Sequence, residues 1–230
     1  MTGDPKGTGP GDKRADHTRR QILHAAAHQF AHRPYSQVSL DDILEAAAVT
    51  KGAMYFHFRS KYALALALIN EQADVSRAAA NSVLGRRLSG LETLVDLSYL
   101  VASQDLSEEL ARAGFNLIEG IGRADGVQAK MLSPWIDAYC GFVRRAISEG
   151  DVRDDVDPDV AGRLLVALYM GLRQTSDLSD ARMFIGDLER MWLVLLQGMA
   201  HPDRIGYITQ FITRRTAMAV NTVPLRPVTR

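Results

Sequence analysis

Apolar residues recur along this chain at helical spacing, and no stretch shows the alternation of a half-buried strand. Ile22, Leu23, Ala26 and Phe30 give one apolar face to a helix predicted over residues 18–31. Thr18 and Gln21 have capping-box spacing at its start, and Pro34 supplies its stop. Ser39 caps a second, short helix. Asp41 and Asp42 fall in its first turn, where negative charge suits the helix dipole, and Ile43, Leu44 and Ala47 form its buried stripe. Ala48 and Val49 make a tight turn, and Thr50 caps a third helix running from Lys51 to about Phe58. Ser60 and Lys61 open a fourth, whose Leu64, Leu66, Leu68 and Ile69 are apolar nearly all round, as in a buried or linking helix. Residues 71–84 extend it or begin a mobile segment, with Gly85 and Gly90 as breakers.

The later pattern is again helical. Residues 91–104 read as an amphipathic helix, 107–119 as another, and the glycine-rich 120–126 as a loop. Ser133-Pro134 places a cap and a first-turn proline ahead of a helix over 135–149, and Asp157-Pro158 repeats that signal for 159–176. Helices over 181–199 and 203–220 complete the body. The fold class is therefore all-α: a three-helix helix-turn-helix domain over 13–62 and a larger helical bundle over 63–220. Tails at 1–12 and 221–230, rich in Gly or Pro, are expected to be disordered.

Charge sharpens this picture. The 230-residue chain is neutral overall, with 27 Lys/Arg and 27 Asp/Glu, but the charge is uneven. Residues 1–70 hold nine Lys/Arg against six Asp/Glu, a net +3, which leaves 18 against 21, or −3, for the rest. Five of the six histidines also lie in the first segment. That is the pattern of a basic module facing phosphates on a neutral-to-acidic body. Lys13, Arg14, Arg19 and Arg20 suit a flexible arm that reaches a nucleic-acid backbone. The single cysteine, Cys140, permits no intrachain disulfide and fits a reducing cytoplasm. No apolar run approaches the roughly 20 residues that span a bilayer, so no membrane partner is expected.

The stretch Leu40-xx-Ile43-Leu44-xx-Ala47-Ala48-Val49-Thr50-Lys51-Gly52-Ala53-Met54-Tyr55-Phe56-His57-Phe58-xx-Lys61 resembles the DNA-binding domain of the TetR family. Its Thr-Lys-Gly-Ala-x-Tyr-Phe-His-Phe form resembles the γ-butyrolactone-receptor branch from actinomycetes. It is similar to receptors for methylenomycin-type furan signals about as well. The resemblance covers residues 18–70. Two positions depart from the family pattern: Ala48 stands where glycine is usual in the turn, and Tyr62 replaces the acidic residue common after Lys61. An alanine held at positive φ costs on the order of 1 kcal/mol.

The resemblance implies a ligand-responsive repressor that binds a palindromic double-stranded DNA operator as a homodimer, with antibiotic-production genes as targets. In that reading Thr50, Lys51, Tyr55 and Lys61 anchor phosphates, and Ser39 adds a backbone contact. Gly52, Ala53 and His57 lie where base edges would be; glycine allows close approach and alanine suits a thymine methyl. Phe30, Ile43, Val49 and Phe58 are core. The body should carry an inducer pocket, with candidates Tyr99, Trp135, Tyr139, Tyr169, Gln174 and Thr175. Trp135 is similar in place to the receptor branch's ligand-contacting tryptophan. A four-helix dimer interface near the C-terminus is implied, with apolar candidates on the last two helices: Met183, Phe184, Leu188, Met191, Trp192, Leu195 and Met199 on one, Ile205, Ile208, Phe211 and Ile212 on the other.

Two other classes compete. An enzyme lacks support from any metal-spaced His/Cys cluster, phosphate loop or nucleophile motif, and no cofactor is expected. His24, His28 and His32, at i, i+4 and i+8, line one helix face without carboxylates nearby in sequence. A helical protein-interaction module is the other alternative. The basic arm and the small Gly52-Ala53 surface argue against it.

Overall fold

The computed structural model describes residues 10–121 and 126–222. Its contacts divide the chain into two compact units, Met1–Asp74 with Glu109–Arg123, and Val75–Glu108 with Ala124–Arg230.

The first unit holds α1 (Pro10–His32), a 3-10 turn (Tyr35–Gln37), α2 (Leu40–Ala47), α3 (Lys51–His57), the first part of α4 (Lys61–Leu84) and α6 (Glu109–Ile121). α1 starts eight residues ahead of Thr18. Pro10 takes the first helical position, where its fixed φ fits. The Thr18 hydroxyl donates back to the Arg14 carbonyl at 3.1 Å, the habit of a threonine inside a helix rather than at its cap. Arg14, Arg19 and Arg20 are therefore exposed on a helix, not on a flexible arm. Ile22, Ala26, Phe30, Ile43, Met54, Phe58, Leu64 and Leu68 are buried as the core of this unit, while Val49 is half-buried.

The boundary expected after residue 62 does not match the packing. α6 returns from later in the chain to lie along α1, and Asn116 Nδ2 donates to the Phe30 carbonyl at 3.0 Å. Gly114 lets it come close to α4, since a Cβ there would lie 2.7 Å from Gln72 Cγ. Local periodicity marks the apolar face of α6 but not the helix that covers it.

The α2–α3 turn shows the strain that its sequence implies. Ser39 and Asp42 form a reciprocal capping box at the start of α2, and those bonds from Ser39 hold the Asp42 carboxyl below its usual range. At the far end Ala48 sits at φ 52°, ψ 41°, the one non-glycine residue at positive φ among those described. Val49 N–H reaches back to the Leu44 carbonyl at 3.3 Å, closing the helix end. Ala48→Gly should thus stabilise the protein by about 0.5–1 kcal/mol, because an alanine Cβ crowds its own backbone there. Chemical denaturation of the two proteins checks this.

The second unit is organised around α5 (Gly90–Ser107), with the end of α4, α7 (Val127–Ser148), α8 (Pro158–Thr175), α9 (Ala181–Met199) and α10 (Pro202–Thr222). α5 packs against α7, α9 and α10 and is buried on nearly every side, not amphipathic as its sequence suggests. Its polar residues are buried with partners: Glu92 accepts from the Ser89 amide, and Asp96 accepts from Arg86 and Arg215. Gly90 lies so near α7 that a Cβ would be 2.5 Å from the Ala146 nitrogen. Gly162 on α8 does the same for α7, with a Cβ 2.6 Å from both the nitrogen and the sulfur of Cys140. The Cys140 thiol is buried against the Asp159 carbonyl, and burial pushes its pKa up.

Two helix starts differ in outcome. Asp157 accepts from the Asp159 and Val160 amides and caps α8 ahead of Pro158, as its sequence predicts. Ser133-Pro134 caps nothing: α7 begins at Val127, after Gly126 in the left-handed region, and Pro134 lies inside it. A proline there removes one helical hydrogen bond without ending the helix. Of the expected tails and loop, residues 1–9, 223–230 and 122–125 lie outside the described residues, whereas 10–12 and 221–222 are helical.

Candidate nucleic-acid interface and ligand cavity

In the first unit, α3 presents a small exposed face. Thr50 caps it, its Oγ accepting from the Ala53 amide at 3.2 Å, which leaves the hydroxyl proton available to a phosphate. Lys51 and Gly52 are exposed beside it, and Ala53 is half-buried. A Cβ at Gly52 would meet nothing within 4 Å, so the backbone there is open to an approaching molecule. Tyr55 is 46% exposed on the next turn. Met54 and Phe58 point the other way and fix α3 to the core. Bare backbone, a hydroxyl, an ammonium and a phenol on one face of a helix start suit a phosphate-flanked groove edge.

Three residues depart from their expected places. Lys61 does not stand free as a phosphate anchor. Its Nζ donates to the carbonyls of Tyr35 (2.9 Å) and Val38 (2.8 Å) and lies 4.1 Å from the centre of the Tyr35 ring. A lysine at the start of α4 finds carbonyls left over by the 3-10 turn, which sequence spacing does not reveal. His57 lies half-buried in the last turn of α3, between the rings of Phe56 and Phe58. It is thus at the end of the helix away from Gly52. Phe56, outside the expected contact set, is the most exposed large apolar side chain among the described residues, at 78%. The signal was there: a turn and a half of helix cannot bury three aromatics. Ser39 is exposed, but its hydroxyl and amide serve the capping box.

In the second unit, three of the six ligand candidates come together. Trp135 and Tyr139 of α7 and Tyr169 of α8 line one cavity with Ser98, Val101, Leu165, Val166 and Met170. The centre of a water molecule can move through only about 20 Å³ of it, room for one water or so. Burial pushes the Tyr139 phenol up to about 12, against a lowering hydrogen bond with Ser98. It is therefore a neutral hydroxyl at physiological pH. The Tyr169 hydroxyl donates to Asp105 Oδ2 at 3.2 Å, and burial holds its pKa well above the usual range.

Behind Tyr169 lies a buried ion pair. Arg173 Nε is 2.5 Å from Asp105 Oδ2 and its Nη2 3.2 Å from Oδ1, with side chains 1% and 0% exposed. An aspartate in a buried helix was the missed signal. The other candidates fall elsewhere. Tyr99 is buried with its hydroxyl 2.7 Å from Thr216 Oγ1 on α10. Gln174 and Thr175 are exposed, and the Thr175 hydroxyl donates to the Gly171 carbonyl of its own helix. They follow Arg173 directly, so helical rotation carries them off the buried face.

The apolar surface also differs from expectation. Phe184, Leu188, Trp192 and Met199 of α9 and Ile208, Phe211 and Ile212 of α10 are buried within the unit. Met183 of α9 is exposed, as are Tyr207 and Met218 of α10, and on α8 and α9 Val160 (62%), Leu164 and Val194 (74%) form a second exposed set. This second set flanks a groove of about 290 Å³ between α8 and α9. No helix among the described residues is long and apolar enough to cross a membrane.

These features define a helix-turn-helix DNA-binding protein with a separate helical domain enclosing a small cavity. The pattern of the "Bacterial regulatory proteins, tetR family" matches residues 22–68, and that of the "Tetracyclin repressor-like, C-terminal domain" matches residues 88–201. The A-factor receptor protein of Streptomyces griseus is 34% identical over 197 residues, spanning 85% of this chain and 68% of that one. The HTH-type transcriptional regulator UidR of Escherichia coli is 30% identical over 72% of this chain and 85% of its own. Among solved structures, a γ-butyrolactone receptor (ArpA-like protein) aligns at TM-score 0.73 and 29% identity, over 90% of this chain and 99% of its own. CprB of Streptomyces coelicolor A3(2), solved in complex with its biological operator sequence, aligns at TM-score 0.75 and 31% identity, over 88% and 98%. The chain belongs to the tetR family of bacterial regulatory proteins: it is a ligand-responsive transcriptional repressor, not an enzyme.

Proposed function

We propose that this cytoplasmic repressor binds a palindromic operator as a homodimer and leaves it when a γ-butyrolactone or furan-type autoregulator enters the cavity of the second unit. The regulated genes in this reading include those of antibiotic production. The convergence of Trp135, Tyr139 and Tyr169 on one cavity carries the proposal. An aromatic wall suits an acyl chain, and the Tyr139 and Ser98 hydroxyls suit a ring carbonyl or hydroxyl. The similarity to an A-factor receptor and to γ-butyrolactone receptors supports the ligand class. A lactone needs more space than the cavity offers, so its binding favours a conformation in which the aromatic side chains have turned aside. Release follows by linkage if that conformation holds DNA less tightly. α4, which contributes residues to both units, is the element proposed to couple them.

On the DNA side, Thr50, Lys51 and Tyr55 are the phosphate anchors of this reading. Gly52, Ala53 and the added Phe56 face the bases, and Lys61 acts by fixing the start of α4. One helix-turn-helix reads few base pairs, so two copies are required, and the exposed α8–α9 face is the surface that a second copy would cover.

The test is a footprint upstream of the protein's own gene, followed by binding titrations on the protected DNA. Lys51→Ala removes one phosphate contact from each of the two copies and is expected to reduce the salt dependence of operator binding by about two units of slope, while sequence preference is kept. An unchanged slope would remove Lys51 from the interface. Trp135→Ala should raise the inducer concentration needed for release by about 10- to 100-fold, the effect of losing roughly 1.5–3 kcal/mol of aromatic contact. Release at the same inducer concentration would place the ligand elsewhere.

A further inference from the structure

We propose that His28, His32 and Glu109 form a binding site for a borderline divalent transition metal of the Zn²⁺ type. His28 and His32 lie one turn apart on α1, with ring centres 4.8 Å apart. The carboxylate that the local sequence lacks arrives from the first residue of α6. Glu109 Oε1 and Oε2 lie 3.0 and 3.1 Å from His28 Nδ1, and Oε1 lies 3.9 Å from His32 Nε2. The ligand atoms of all three residues fall within 4.8 Å of one another. His24, on the same stripe, is not part of the group.

The chemistry of the donors matches the geometry. A tetrahedral metal with bonds of about 2.0–2.1 Å sets its ligand atoms about 3.3 Å apart, and the observed distances to Glu109 bracket that value. His32 Nδ1 lies 2.8 Å from the His28 carbonyl and donates to it, which leaves the lone pair on Nε2, the atom that faces Glu109. A backbone carbonyl that fixes the tautomer and ring orientation of a histidine is a recurrent support for metal ligation. Two imidazoles with one carboxylate favour zinc, nickel or cobalt over magnesium or calcium. All three side chains are partly exposed, so the ion can enter and water can complete its coordination. An ion held there would tie the first turn of α6 to the last turns of α1 within the DNA-binding unit.

A proton is the competing occupant, since His28 and Glu109 also make an ion pair when the imidazole is charged. The experiment uses the untagged full-length protein, stripped with chelator and titrated calorimetrically with Zn²⁺, with melting followed in parallel. The expected result is one Zn²⁺ per chain and a rise in Tm that Mg²⁺ does not reproduce. His32→Ala and Glu109→Gln should each weaken Zn²⁺ binding by about tenfold or more, as loss of a direct ligand exceeds loss of its support. His24→Ala should leave it unchanged. Replacing Zn²⁺ by Co²⁺ should give the visible bands of a nitrogen- and oxygen-ligated ion, lost in His28→Ala. Absence of saturable Zn²⁺ binding, or equal affinity in His32→Ala and the parent, overturns the proposal and leaves a proton-shared ion pair.

Discussion

Asp105→Ala is expected to cost the protein about 3–5 kcal/mol of stability, because it takes the two-pronged carboxylate away from the buried Arg173 guanidinium. The two side chains are 0% and 1% exposed, and the pairing is two-pronged. The Tyr169 hydroxyl loses its acceptor in the same step. The cost comes from the abandoned partner and not from the pair as such. Replacing both residues with leucine or methionine should therefore recover most of the loss, since a buried pair is often no more stable than apolar groups of similar size. Urea unfolding of the parent, the single variant and the double variant tests this. A loss below about 1 kcal/mol in Asp105→Ala would mean that water reaches the site. Because Tyr169 also lines the cavity, the single variant should respond poorly to inducer even where it remains folded.

Gly52→Glu should separate folding from DNA binding by moving them in opposite directions. Nothing lies within 4 Å of the position a Cβ would take, so the free protein accommodates the side chain. Glycine near the start of a helix is weaker than glutamate, whose charge suits the helix N-terminus. The variant should gain up to about 1 kcal/mol in stability. The same carboxylate meets the phosphate-lined groove at the point where the backbone must come close. Operator affinity should fall by about two orders of magnitude, roughly 3 kcal/mol. Gel shifts on the footprinted operator beside a melting curve give both readings. Undiminished operator binding would show that α3 does not enter the groove by its first turn.

The sequence was most legible where the physics is local. The Ser39 and Thr50 caps, the Asp157-Pro158 start and the strained Ala48 turn each depend on residues within a few positions, and the structure has each of them. Periodicity identified which face of each helix is apolar, but not which neighbour covers it. So Phe184, Leu188 and Trp192 of α9 and Ile208 and Ile212 of α10 face their own unit's core while Met183 of the same set is exposed, and α5 looked amphipathic when its charged residues are buried with distant partners. Lys61, Glu109 and Arg173 share this cause. Each finds its partner 23 to 81 residues away, beyond the reach of any spacing rule. Ser133-Pro134 misled for a different reason: a proline pattern that starts a helix is also tolerated inside one.

The packing of Gly162 on Cys140 gives the protein a built-in chemical reporter. The only thiol in the chain lies in the seam between α7 and α8, the two helices that carry Trp135, Tyr139 and Tyr169. The sulfur is largely covered while that seam is packed, so an alkylating reagent reaches it slowly. The rate at which an added maleimide consumes Cys140 therefore reports how open the seam is, without a mutation. Inducer that holds the helices apart would speed that reaction, and inducer that seals them would slow it.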